Sequence, residues 1–262
     1  MGLACDDLGR GTPVVCLPPF SLDRSVMAAA LEPVLARRPG LRRIYVDLPG
    51  HGESPPGEPT SEYVAGAVSS FIDARLGSTR RLLAGWSYGG YIAAALARRQ
   101  PATVAGLLLI CAGVKTRPED RDLPPAPAGP APRGWLDEVP QALRAHLATA
   151  IGNRTAPTAA RVAGVMAASR PGDEEYRQRL QAGAYQLADE GLGSGYPGPT
   201  GVITGRQDRV VGFADQFRAL PAYPAASFTI VADAGHYLPL EQPEVFRKVA
   251  EFWLDRCVPG PA

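Results

Sequence analysis

A doubly wound, mostly parallel α/β sheet with an inserted all-helical cap is the fold this sequence predicts, and three observations predict it. Short runs that are apolar on both faces recur along the chain, and amphipathic helical patterns separate them. The alternation stops near residue 115 and resumes near residue 197. On this reading 1–114 and 197–262 form one sheet domain, and 115–196 form a helical cap or lid inserted between two of its strands.

Strands are predicted at 14–17, 44–46, 82–84, 107–110, 202–204 and 228–231, each a short run without polar alternation. Few residues precede the first of these, so 1–5 can supply at most a single further edge strand. Helices are predicted at 26–38, 61–76, 91–99 and 243–254. The second opens on Ser61 and stops at Gly77, the third stops before Pro101, and the fourth places Pro243 at a tolerated early position. In the insertion, 115–134 is dense in proline and alanine and reads as an irregular loop, because repeated proline removes donors and fixes φ. Helical stretches follow at 135–151, 156–168 and 173–190 and end in the glycine-rich 191–195. There is no internal repeat.

Composition narrows the function classes. The chain has 262 residues, 27 basic against 26 acidic, and 45% hydrophobic, enough apolar surface for a full core and far from the composition of a disordered chain. A near-neutral balance carries no electrostatic footprint for nucleic acid. The longest apolar run, 104–113, falls short of the ~20 residues of a membrane span. The first residues, Met1-Gly2-Leu3-Ala4-Cys5-Asp6-Asp7, lack the basic start and apolar stretch of a secretory signal. Cys5, Cys16, Cys111 and Cys257 are scattered with no C-x-x-C pair, which disfavours zinc and a disulfide framework and fits reduced thiols in a cytoplasmic protein.

The sharpest signal is Gly85-Trp86-Ser87-Tyr88-Gly89-Gly90, a G-x-S-x-G segment directly after a predicted strand and before a predicted helix. In that context the serine sits on a tight, strained turn with its hydroxyl exposed, and the helix N-terminus offers backbone N–H groups to a developing oxyanion. A serine needs a base, and three histidines are available. His146 lies in a predicted insertion helix and reads as a surface residue. His51, in Asp47-Leu48-Pro49-Gly50-His51-Gly52, and His236, in Asp233-Ala234-Gly235-His236-Tyr237, both follow strands, so both reach the sheet edge where ligands bind. The base needs a carboxylate. Asp208, in Gly205-Arg206-Gln207-Asp208, follows a strand and precedes His236 by 28 positions, enough for a helix and another strand; Asp233 is only three positions from His236.

At these residues the sequence resembles the α/β-hydrolase superfamily from about residue 12 to residue 254, with the insertion as the variable cap. The matching pieces are 47–54, 85–90, 205–208 and 235–236. The family's chain order of serine, acid, histidine favours Ser87, Asp208 and His236 as the triad and leaves His51 as a turn residue bonded to backbone. The segment Leu17-Pro18-Pro19-Phe20-Ser21-Leu22-Asp23 resembles the family's Leu-His-Gly-Phe-x-Leu-Asp segment, with Pro18-Pro19 in place of His-Gly. The resemblance then implies an oxyanion hole from the N–H groups of Phe20 and Tyr88, with a loop stiffened by two prolines that admit a cis bond.

What the resemblance implies is a carboxylesterase-like serine hydrolase that cleaves an ester-type acyl bond of a small, largely apolar substrate through an acyl-enzyme on Ser87. Phe20, Trp86, Tyr88, Trp135 and Tyr237 would line the substrate pocket, while Trp135, Tyr176 and Tyr185 equally suit the cap's own core. Ser87 in place of Asp disfavours the relatives that open epoxides or displace halide. No metal and no cofactor is implied. The expected partner is a small-molecule acyl substrate, with neither nucleic acid nor membrane, and an exposed cap face would suit a homodimer. Acyl transfer or cyclisation, thioester or lactone cleavage, and a non-catalytic small-ligand receptor remain open on the same fold.

Overall fold

The structure is a computed structural model and describes residues 2–127, 131–190 and 195–258. Seven strands form one sheet: β1 (Cys5–Gly9), β2 (Thr12–Leu17), β3 (Leu41–Val46), β4 (Arg81–Trp86), β5 (Val104–Ile110), β6 (Thr200–Gly205) and β7 (Ala226–Val231). Their order across the sheet is β1-β3-β2-β4-β5-β6-β7, and every neighbouring pair is parallel except β1 with β3. Each predicted strand is present, extended by two or three residues. The edge strand is Cys5–Gly9 rather than 1–5, a correction with a clear cause. Its side chains are mostly exposed and include Asp6 and Asp7, so no apolar pattern announces it; pairing to β3 and the two-pronged Arg42–Asp7 contact hold it in place.

Nine α-helices connect the described strands. α1 (Arg24–Leu35) and α2 (Ser61–Leu76) flank β3, α3 (Tyr88–Arg99) follows β4, and α4 (Gln141–Ala150), α5 (Ala156–Ala168) and α6 (Glu174–Ala182) lie between β5 and β6. The short α7 (Ala214–Arg218) and α8 (Leu238–Glu241) bracket β7, and α9 (Pro243–Cys257) closes the fold. α4 starts after Pro140, six residues later than expected, because 133–139 folds as turns. α6 ends at Ala182, not at 190: Gly183 caps it, and the following residues run alongside the start of α2 through a Thr60–Ala184 bridge and a Ser61 N–H to Ala184 carbonyl bond. Tertiary pairing there overrides a helical pattern. The glycine-rich end of this stretch, 191–194, lies outside the described residues.

The apolar core has two layers, one on each face of the sheet. One joins α1 and α9 to the sheet, and the other joins α2 and α3. Trp135, Val139, Leu147, Ala150 and Val162 belong to the first layer, and Tyr176, Leu180 and Leu187 to the second. The inserted helices therefore rest their apolar faces on the sheet domain's layers; among the described residues the insertion has no separate apolar centre. None of the described helices is long and apolar enough to cross a membrane. All four cysteines are free thiols.

Candidate active site

Ser87 occupies the position between β4 and α3. Its φ of +55° and ψ of −118° are a strained combination for a residue with a side chain. Two glycines permit the turn. A Cβ on Gly85 would stand 2.3 Å from the Gly89 carbonyl oxygen, and one on Gly89 would stand 2.2 Å from the Leu17 carbonyl oxygen and 2.5 Å from that of Pro18. The first turn of α3 thus lies directly against the Leu17–Pro18 end of β2, which brings the Phe20 loop beside the helix N-terminus. Tyr88 is the first residue of α3, so its N–H has no partner within the helix and remains free to donate to an anion.

Asp208 lies in the loop after β6, and His236 in the loop after β7. Parallel strands send both loops to the same sheet edge as Ser87. His236 Nε2 is 3.0 Å from Ser87 Oγ, and His236 Nδ1 is 2.9 Å from Asp208 Oδ2. With Nδ1–H donating to the carboxylate, Nε2 is left to accept the serine proton. Asp208 is fully buried; its other oxygen accepts the N–H groups of Val210 and Val211 at 2.9 and 3.0 Å. Burial pushes its carboxyl up, but His236 and those two donors outweigh burial and hold it below the usual carboxylate range.

The histidine loop is tied down by distant residues. The His236 N–H donates to the Ala150 carbonyl at 2.7 Å, and Trp86 Nε1 donates to the His236 carbonyl at 3.0 Å. Trp86 is 0% exposed, so it braces the loop from beneath and does not line a pocket, which corrects the sequence expectation. Trp135 also differs: it packs in the core layer of α1 and α9.

Phe20, Tyr88 and Tyr237 lie around the triad. The half-buried Phe20 ring sits edge-on to Tyr88 at 5.5 Å and to His51 at 5.2 Å. Tyr237 sits edge-on to His236 and Trp86, each at 5.8 Å. His51 is fully buried, and its Nδ1–H donates to the Pro49 carbonyl at 2.9 Å; burial lowers its pKa to about 4, so it supports Phe20 as a neutral ring and does not compete with His236. Both Pro18 and Pro19 follow trans peptide bonds, since the described residues include no cis peptide.

Two residues that the sequence reading assigned to the insertion, Tyr185 to its core and His146 to its surface, also stand beside the site. Tyr185 stacks on Tyr88 at 4.8 Å and meets Phe20 edge-on at 5.5 Å; its carbonyl accepts the Ser61 hydroxyl, which also bonds the Tyr88 hydroxyl. His146, on the outer face of α4, turns its Nε2 toward the Tyr237 hydroxyl at 2.8 Å. Neither sits in a motif, and only the path of the insertion brings them here.

Cys111, Asp208 and His236 each offer one metal-ligand atom, all within 4.8 Å of one another. The Asp208 oxygens are already engaged by His236 and two peptide N–H groups, so the cluster works as a hydrogen-bonded relay with a thiol beside it. A cavity of about 520 Å³ lies elsewhere, lined by Tyr91, Arg98, Lys115, Asp189, Asp215 and Tyr223 among others. Its charged groups are paired, Arg98 with Asp189 and Lys115 with Asp215. None of Ser87, Asp208 and His236 lines this cavity.

The profile of the alpha/beta hydrolase family matches residues 14–249. The chain belongs to this family. Among curated proteins, this family member is similar to a pimeloyl-(acyl-carrier protein) methyl ester esterase of Shewanella sp. strain MR-7, 33% identical over 110 residues. That match covers 41% of this chain and only 38% of the relative's length. Among solved structures, the alpha/beta superfamily hydrolase from Oenococcus oeni PSU-1 superposes with a TM-score of 0.80 at 24% identity, covering 98% of this chain and 96% of that one. A thermophilic esterase from Thermogutta terrifontis superposes at 0.73 with 25% identity, covering 97% and 93%.

Proposed function

We propose that this alpha/beta hydrolase is a carboxylic ester hydrolase that works through an acyl-enzyme on Ser87. The observation that carries the reading is the continuous relay from Ser87 Oγ to His236 Nε2 and from His236 Nδ1 to Asp208, set at the N-terminus of α3. Ser87 Oγ attacks the acyl carbonyl carbon while His236 Nε2 takes its proton, and Asp208 stabilises the imidazolium. The carbonyl oxygen becomes an oxyanion that accepts from the N–H groups of Phe20 and Tyr88. As the C–O bond to the leaving alcohol breaks, His236 returns the proton to that oxygen. A water, deprotonated by His236, then attacks the acyl carbon and releases the acid and free Ser87.

The aromatic surroundings, Phe20, Tyr88, Tyr185 and Tyr237, favour a small and largely apolar acyl group. The methyl ester esterase name carried by the Shewanella relative supports ester cleavage. In this reading residues 115–196 act as the cap over the site and 1–114 with 197–262 as the core. A fluorophosphonate probe tests it: the wild-type protein is labelled at Ser87, and labelling disappears in Ser87→Ala. A folded wild-type protein that takes no label, and hydrolyses no member of a panel of short p-nitrophenyl esters, overturns it.

A further inference from the structure

A second buried carboxylate stands behind the triad. Glu241, at the end of α8, is 3% exposed, and its contacts are peptide N–H groups. Oε1 accepts from Gly235 at 2.9 Å and from Tyr237 at 3.1 Å. Oε2 accepts from Gly152 at 2.8 Å and from Asn153 at 2.9 Å, and shares the Gly235 N–H at 3.0 Å. Burial pushes its carboxyl up, and the four donors offset part of that.

The donors come from two places. Gly235 and Tyr237 are the residues on either side of His236. Gly152 and Asn153 form the turn between α4 and α5, in the insertion. The peptide groups of His236 itself are held by Ala150 and Trp86. Every one of these ties bears on the backbone that aims the imidazole, and among the described residues Glu241 alone joins that backbone to the insertion through one side chain. The chemistry requires a carboxylate. Both of its ends are acceptors, whereas glutamine of the same length would turn an NH₂ group against one of the two donor sets.

We propose that Glu241 is a positioning residue: it sets the aim of His236 at Ser87 and locks that aim to the seating of the α4–α5 turn. The inference rests on the hydrolase reading above, and its test separates the two. The groups facing His236 are the Ser87 hydroxyl from the turn between β4 and α3, Asp208 from the loop after β6, Cys111 from the loop after β5, Tyr237 on its own loop and, through Tyr237, His146 from α4. Loss of the Glu241 charge and a slackened Asp208–His236 contact both disfavour the imidazolium, so both move the acid limb of the pH profile to lower pH.

The experiment compares wild type, Glu241→Gln and, as a control of reduced stability far from the site, Leu31→Ala. The readouts are Tm, the fluorophosphonate labelling rate, and kcat and KM for p-nitrophenyl butyrate across pH. In Glu241→Gln, labelling rate and kcat fall about 10²-fold, KM changes by less than about threefold, and the acid limb moves down, as a misplaced base requires. Leu31→Ala lowers Tm and leaves kcat and the pH profile in place. If Glu241→Gln lowers Tm alone, with kcat and acid limb unchanged, the positioning role is overturned. If Glu241→Gln does not fold, Glu241→Asp, which keeps the charge and shortens the reach, is read by the same criteria. An unlabelled wild type overturns the Ser87 reading itself.

Discussion

The turn that carries Ser87 and the loop that carries His236 meet at the Ser87–His236 hydrogen bond, with a second from Trp86 to the His236 carbonyl, and are held in different ways. Ser87 is shaped by its chain neighbours, since Gly85 and Gly89 leave room for the backbone and α3 begins at the next residue, and its peptide groups are tied to the end of β5 through the Ile110 carbonyl and the Gly113 N–H. His236 is placed by residues far away in the chain, Trp86, Ala150 and Asp208, together with the carboxylate of Glu241. The nucleophile needs a strained backbone, for which the glycines on either side of it leave room. The base needs an aimed ring on an unstrained loop, which only tertiary contacts can supply. Such a division predicts that changes at the turn damage folding, whereas changes around the loop damage aim.

The largest effect is expected where the two halves join. His236→Ala removes the base and lowers kcat by about 10⁵- to 10⁶-fold with the fold intact, measured by ester turnover beside a circular dichroism melt. Gly89→Ala tests local control of the turn. Its methyl group would meet the Leu17 and Pro18 carbonyls, and chemical denaturation should show a loss of about 3 kcal/mol or no folded protein. A Gly89→Ala protein as stable as wild type breaks the comparison on its first side.

Acid sharpens it on a third element, His51 beneath Phe20. Its pKa is about 4 in the folded protein. The unfolded chain, titrating near 6.5, binds more protons between those values, so stability rises with pH across that window and is lost on acidification. The loss reaches at most about 3 kcal/mol by pH 4, because each tenfold difference in proton affinity between the folded and unfolded chain is worth about 1.4 kcal/mol. His51→Asn should flatten this slope in urea melts taken from pH 7 to pH 4. The smallest effect belongs to Trp86→Phe, which removes the indole N–H from the His236 carbonyl. Stability should fall by about 1–2 kcal/mol, and fluorophosphonate labelling of Ser87 should slow severalfold. Faster labelling would show that Trp86 does not steady the loop.

The strand positions and the G-x-S-x-G turn were legible in the sequence because each is a local arrangement: an apolar run between two helices, or glycines beside a serine. Ser87, Asp208 and His236 were legible as candidates because each follows a strand of a parallel sheet. The edge strand β1, the end of α6 at Ala182, the burial of Trp86 and the place of Tyr185 were not. Each depends on what a distant segment lays against it: Arg42 on Asp7, Thr60 on Ala184, the histidine loop on Trp86, Phe20 on Tyr185.

By itself, then, the order of amino acids settled the sheet, its winding and the strained serine, since hydrophobic period and glycine spacing act within a few residues of the chain. Only the folded arrangement settled how the imidazole is aimed and which aromatic rings surround it. Those depend on hydrogen bonds and packing between segments far apart in sequence, whose meeting no local pattern encodes.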